Sequence, residues 1–66
     1  MPRYYVNNNQ QPNGDHEVHK EGCYWMPSDK IDLGIHYGCA SAVAAAKNYY
    51  NKADGCAHCC EACHKS

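Results

Sequence analysis

Large apolar side chains are scarce in this chain, and the scarcity limits what it can fold into. Those available to a core are Val6, Val18, Ile31, Leu33, Ile35 and Val43, with Met26 and Trp25 beside them, and there is no Phe. Alanine, cysteine and tyrosine inflate the nominal hydrophobic fraction of 44%. The mean hydropathy is −0.78. With 66 residues, the sequence is a single small domain spanning 1–66. A chain this short buries only about 60% of the surface its unfolded form exposes. Its apolar core supplies roughly 3–5 kcal/mol, so a disulfide, a metal or a second chain is needed as well.

Charge narrows the function classes. The net charge is −1 with histidines neutral. The six basic residues (Arg3, Lys20, Lys30, Lys47, Lys52 and Lys65) are dispersed. The basic patch that marks nucleic-acid binding is not visible along the chain. The segment Met1-Pro2-Arg3-Tyr4-Tyr5-Val6-Asn7 has no signal-peptide core. Nothing approaches a membrane span of about 20 apolar residues. Taken as a native start, Met1 places the chain in the cytoplasm, where stable disulfides are rare.

The chain reads as α+β, a small antiparallel β-sheet of two or three strands with one α-helix and a C-terminal Cys-rich knuckle. Residues 3–7 are rich in β-formers. Residues 8–15 form a polar loop with an Asn13-Gly14 turn. Residues 16–19 alternate and suit a second strand. Residues 31–37 alternate with period two, placing Ile31, Leu33, Ile35 and Tyr37 on one face and His36 on the polar face toward solvent. Residues 39–51 predict a helix, with Ser41 the better N-cap by type and Asn51, Asp54 and Gly55 as the stop. With no Phe, the six tyrosines and Trp25 are expected to fill the core.

Metal-ligand spacing is the densest chemical signal. Cys56-x2-Cys59 lets two thiolates converge on one tetrahedral ion. His19-x3-Cys23 offers a nitrogen and a third sulfur from one turn-forming stretch. The favoured set is His19, Cys23, Cys56 and Cys59, holding one zinc per chain. Cys63 and His64, also in the tail, are the replacements for the second pair. Cys39 reads as an ordinary buried thiol and Cys60 as a spare one. Six cysteines also allow a disulfide framework with fifteen pairings. His16 is an alternative to His19, but at i and i+3 on a strand only one of them points inward. His58, inside the CxxC loop, reads as exposed. Asp15 and Glu17 flank His16 and read as solvated charges.

The residues Tyr5-Val6-Asn7-x-Asn9-x2-Pro12-Asn13-Gly14-Asp15-His16-Glu17-Val18-His19-x3-Cys23, then Leu33-Gly34, Tyr49-Tyr50 and Gly55-Cys56-x2-Cys59-x3-Cys63-His64, resemble a family of small uncharacterised bacterial proteins. The match covers nearly the whole chain and implies a standalone bacterial protein. More distantly, His19, Cys23, Cys56 and Cys59 fall in order on the pattern of zinc-binding modules similar to the metal-binding domain of the Ada DNA-repair protein. That resemblance implies a metal site; the missing basic flanks and the extra Cys60 and Cys63 set this chain apart from the methyl-transfer context.

The functional expectation is a zinc-stabilised structural or interaction module, not an enzyme. The alternatives are thiol chemistry at the CxxC pair, by methyl acceptance or redox exchange, and a nucleic-acid-binding accessory module. A core-poor chain with open strand edges is also expected to form a homodimer, with the loop over residues 8–15 as a hinge for element exchange.

Overall fold

A computed structural model describes residues 1–65. Strands β1 (Arg3–Asn7), β2 (His16–Lys20) and β3 (Lys30–Ile35) precede helix α1 (Cys39–Ala46). Strand β4 (Ala53–Gly55) and a 3₁₀ turn (Glu61–Cys63) follow it. The sheet order is β3-β1-β2-β4. β1 pairs antiparallel with both β2 and β3, while β2 and β4 run parallel. The class is α+β as expected, but the sheet has four strands and is mixed.

Strand β4 was illegible because Ala53-Asp54-Gly55 has poor intrinsic strand preference. Pairing makes it a strand: the His16 amide donates to Lys52 O at 2.9 Å and the Cys56 amide to Val18 O at 2.9 Å. Residues 53–55 are all buried. Gly55 is there because the tail folds back over it. A Cβ at this position would lie 2.7 Å from Cys60 O and 2.9 Å from the Cβ of Cys63.

The core is thin. Tyr4, Val6 and Val18 from the sheet meet Ala42 and Ala46 of the helix, with Ala53 and Cys60 closing one end. Small helix residues let the backbone lie close to the sheet. Fully burying Val6 and Val18 stabilises by about 1.5–3 kcal/mol each.

Three expectations fail here, each for a local reason. The helix ends at Ala46, not Asn51. Tighter turns follow, with the Asn48 amide on Ala45 O and the Tyr49 amide on Ala46 O. This bend delivers Tyr50 to His16, where the rings stack at 3.6 Å, and to Asn8, whose Oδ1 accepts its hydroxyl at 2.6 Å. The N-cap is Gly38, with no side-chain cap. Ser41 Oγ instead sits 3.0 Å from His36 Nδ1, and His36 Nε2 donates to Leu33 O at 2.8 Å. His36 is thus tied into the chain and not left to solvent.

The period-two pattern of β3 breaks at a bulge. Tyr4 pairs with Gly34 and Tyr5 with Asp32, leaving Leu33 as the extra residue. Gly34 takes φ +85°, and Asp32 Oδ1 accepts its amide at 2.8 Å. Past the bulge the alternation is lost, so Ile35 and Tyr37 are exposed. Tyr24, Trp25 and Tyr49 are exposed as well. Core filling by aromatics therefore holds for Tyr4 and in part for Tyr50.

A disulfide joins Cys39, at the start of α1, to Cys63, with Cα atoms 6.2 Å apart. This overturns the reading of Cys39 as a free buried thiol. It also shows that a default of no disulfides does not hold at this pair. The bond fixes the tail against the helix and closes a loop of 24 residues, worth about 3–4 kcal/mol in chain-entropy terms.

Gly55→Ala is expected to lower stability by about 1–3 kcal/mol, because the atoms it meets are tail backbone that has to shift. Gly38→Ala meets nothing within 4 Å and is expected to cost less. Denaturant unfolding of the two variants checks the difference.

Candidate metal centre

β2 ends where the site begins. Val18 and His19 alternate to opposite sides of the strand, yet both are fully buried. Val18 meets the helix-side core, and His19 meets the cysteines. After Lys20 the chain turns through Gly22 at φ +86°, and the Cys23 amide donates back to Lys20 O at 3.0 Å. That turn brings Cys23 Sγ to 3.5 Å from His19 Nδ1.

The second half comes from the end of β4. The Cys56 amide bond to Val18 O sets Cys56 beside His19 in the sheet. The knuckle then closes, with the Cys60 amide donating to Cys56 O at 2.9 Å. Cys56 Sγ lies 4.0 Å from Cys23 Sγ, and Cys59 Sγ lies 4.0 Å from His19 Nδ1. One donor atom from each of His19, Cys23, Cys56 and Cys59 lies within 4.8 Å of all the others. These four side chains are close enough to hold a metal ion.

The spacing suits a tetrahedron. Metal–sulfur bonds of about 2.3 Å and metal–nitrogen bonds of about 2.0–2.1 Å imply edges of about 3.8 Å between sulfurs and about 3.5 Å between sulfur and nitrogen. The His19–Cys23 separation of 3.5 Å matches its edge, and Cys23–Cys56 at 4.0 Å is slightly long. His19–Cys59 at 4.0 Å is longer by about 0.5 Å, and all four donors stay within 4.8 Å.

The surroundings fit thiolates. The His58 amide donates to Cys56 Sγ at 3.4 Å, and the Lys20 amide to Cys59 Sγ at 3.3 Å. Burial pushes the Cys59 thiol well up from its ordinary value of 9.0 and raises Cys60 as well. Burial lowers His19 from 6.5, opposed by Glu17, so its ring is neutral at pH 7 as a ligand must be. Without a cation, burial opposes the thiolate form of Cys59; a dication would supply the missing compensation.

His19 Nε2 is buried and without a hydrogen bond, and Glu17 Oε1 stands 3.4 Å away, off hydrogen-bond alignment. With Nδ1 toward the cysteines, Nε2 carries the proton and faces a carboxylate, the arrangement that orients a ligand imidazole. Glu17 is therefore a partner of His19, not a solvated charge beside His16. The signal was the i, i+2 spacing, which puts Glu17 and His19 on one side of a strand.

The remaining candidates lie elsewhere. His16 is buried, but its Nδ1–H donates to Asn7 O at 3.0 Å and its ring stacks on Tyr50. Cys63 is in the disulfide. His64 Nδ1–H donates to Gly55 O at 3.0 Å, away from the cluster. Neither replacement joins the site. Cys60 is buried outside the set of four, its Sγ 3.8 Å from Cys59 Sγ. His58 is exposed as expected, but it stacks on Trp25 at 3.7 Å, and Tyr24 packs edge-on against Trp25 at 5.4 Å. This aromatic group flanks both half-sites, and no feature of the sequence signalled the stack. Among the described residues, no helix is long and apolar enough to cross a membrane.

Comparison with family models, with curated proteins and with solved structures gave no match for this chain.

Because burial raises the Cys59 thiol and a metal takes cysteine as thiolate, ion binding releases protons. Affinity for Zn²⁺ is thus expected to rise with pH and to fall on acidification, as competition with a chromophoric chelator between pH 6 and 8 would read. In the same assay Glu17→Gln is expected to weaken binding by about tenfold, with the fold retained.

Proposed function

We propose that this chain is a zinc-stabilised structural module that presents a surface to a protein partner, with one Zn²⁺ held by His19, Cys23, Cys56 and Cys59. The convergence of those four donors within 4.8 Å carries the reading. Three thiolates and an imidazole are a soft donor set of the kind zinc takes in structural sites. Four protein ligands leave no open position for water, which favours a structural role over hydrolysis. Three thiolates, one neutral imidazole and a dication sum to about −1, so the centre adds no positive patch for nucleic acid.

The ion ties the β2 turn to the tail. It supplies what two valines and a row of alanines lack. Because zinc sites of this type rarely preform in an unfolded chain, binding energy becomes folding energy. The exposed Tyr24, Trp25 and His58 group gives the module its contact surface, since aromatic residues with a polar edge are favoured at interfaces. The thiol-chemistry alternative rests on Cys59, which is only half-buried.

Element exchange between two copies would require the loop over residues 8–15 to open. Bonds from Asn8 to Asp29, from Tyr50 to Asn8 and from Lys52 to Asn13 O hold it. Sedimentation as a monomer at high protein concentration removes the exchange dimer.

The test is metal analysis of protein purified under reducing conditions. One zinc per chain, and loss of the folded circular-dichroism signal when a chelator removes it, are expected. Cys56→Ser is expected to lose the stoichiometric metal. Folded, metal-free protein would overturn the proposal.

A further inference from the structure

We propose that Cys59 and Cys60 form an oxidisable pair, a modification site at which a hydroperoxide converts the two sulfurs to a disulfide and ejects the metal. The inference rests on the zinc centre proposed above. Three observations carry it. Cys60 Sγ lies 3.8 Å from Cys59 Sγ. Among the described residues, Cys60 is the cysteine that is neither in the four-donor set nor in the Cys39–Cys63 disulfide. Cys59 is half-buried, open to a small oxidant, while Cys60 is buried.

The chemistry balances. The Cys59 thiolate attacks the O–O bond of the hydroperoxide. One oxygen passes to sulfur, giving a sulfenic acid, and the departing alkoxide or hydroxide takes a proton and leaves as alcohol or water. Cys60 sulfur then attacks the sulfenic sulfur. The S–O bond breaks, the S–S bond forms, and the thiol proton leaves with the hydroxyl as water. Two electrons pass from the two sulfurs to the peroxide.

Coordination and the new bond exclude each other. A disulfide needs its sulfurs about 2.05 Å apart, so closure draws Cys59 Sγ out of its place among the four donors. Adjacent Cα atoms are about 3.8 Å apart, below the usual disulfide range, which makes such a bond strained and easily reduced. A mild dithiol therefore restores both thiols and the site. Cys39–Cys63 spans a different pair of elements and takes no part in this exchange.

The experiment uses the full zinc-loaded chain and hydrogen peroxide, reading zinc release with a chromophoric chelator and mapping the oxidised cysteines by mass spectrometry. The wild type is expected to release its zinc with loss of two thiols per chain, a Cys59–Cys60 bond in the mapped peptide, and recovery after dithiothreitol and zinc. Cys60→Ala is expected to hold zinc before oxidation and to release it about tenfold more slowly, with Cys59 trapped as a dimedone-reactive sulfenic acid. Mapping in the wild type reads the pair even where Cys60→Ala folds poorly. Equal release rates in the two proteins, or a wild-type bond joining Cys23 to Cys56, would overturn the pair while leaving the zinc centre intact. Absence of stoichiometric zinc before oxidant would overturn both.

Discussion

Three sulfurs and an imidazole nitrogen meet inside a domain whose apolar core is two valines, a tyrosine and a few alanines. Such a meeting is unfavourable by itself. Desolvation pushes the Cys59 thiol up and the His19 ring down, so burial opposes the charged form of each. The amides of Lys20 and His58 aimed at sulfur, and the Glu17 carboxylate beside His19, serve a charge distribution that appears when a cation sits among the donors.

Cys63 joins the tail to the start of the helix, and Cys56 and Cys59 lie within metal-ligand distance of the β2 turn. Between them the backbone passes so close to Gly55 that no side chain fits there. β4 is three residues long, pairs parallel with β2, and leads into a knuckle that the Cys39–Cys63 bond fixes to the helix. Cys60 is packed in the core and touches Cys59, which makes it the link between packing and the metal centre.

The two half-sites were readable from the sequence, because His-x3-Cys and Cys-x2-Cys are local geometry: a turn brings each pair together whatever the rest of the chain does. The first two strands and the existence of the helix were legible for the same reason. What was missed depends on distant partners. β4 exists through pairing with β2, the helix ends early because Tyr50 is drawn to His16 and Asn8, and the β3 bulge appears where Tyr4 and Tyr5 change register. The Cys39–Cys63 bond joins residues whose proximity is set by the whole tail path, so spacing gave no reason to prefer that pairing over the others.

The central claim is a metal ion bound by three sulfurs and one nitrogen from His19, Cys23, Cys56 and Cys59. X-ray absorption at the zinc edge of the purified protein tests it most directly. The account predicts three sulfur scatterers at about 2.3 Å and one nitrogen at about 2.0 Å, with the imidazole's outer-shell features. A shell of oxygen and nitrogen alone, or one of four sulfurs, would contradict it.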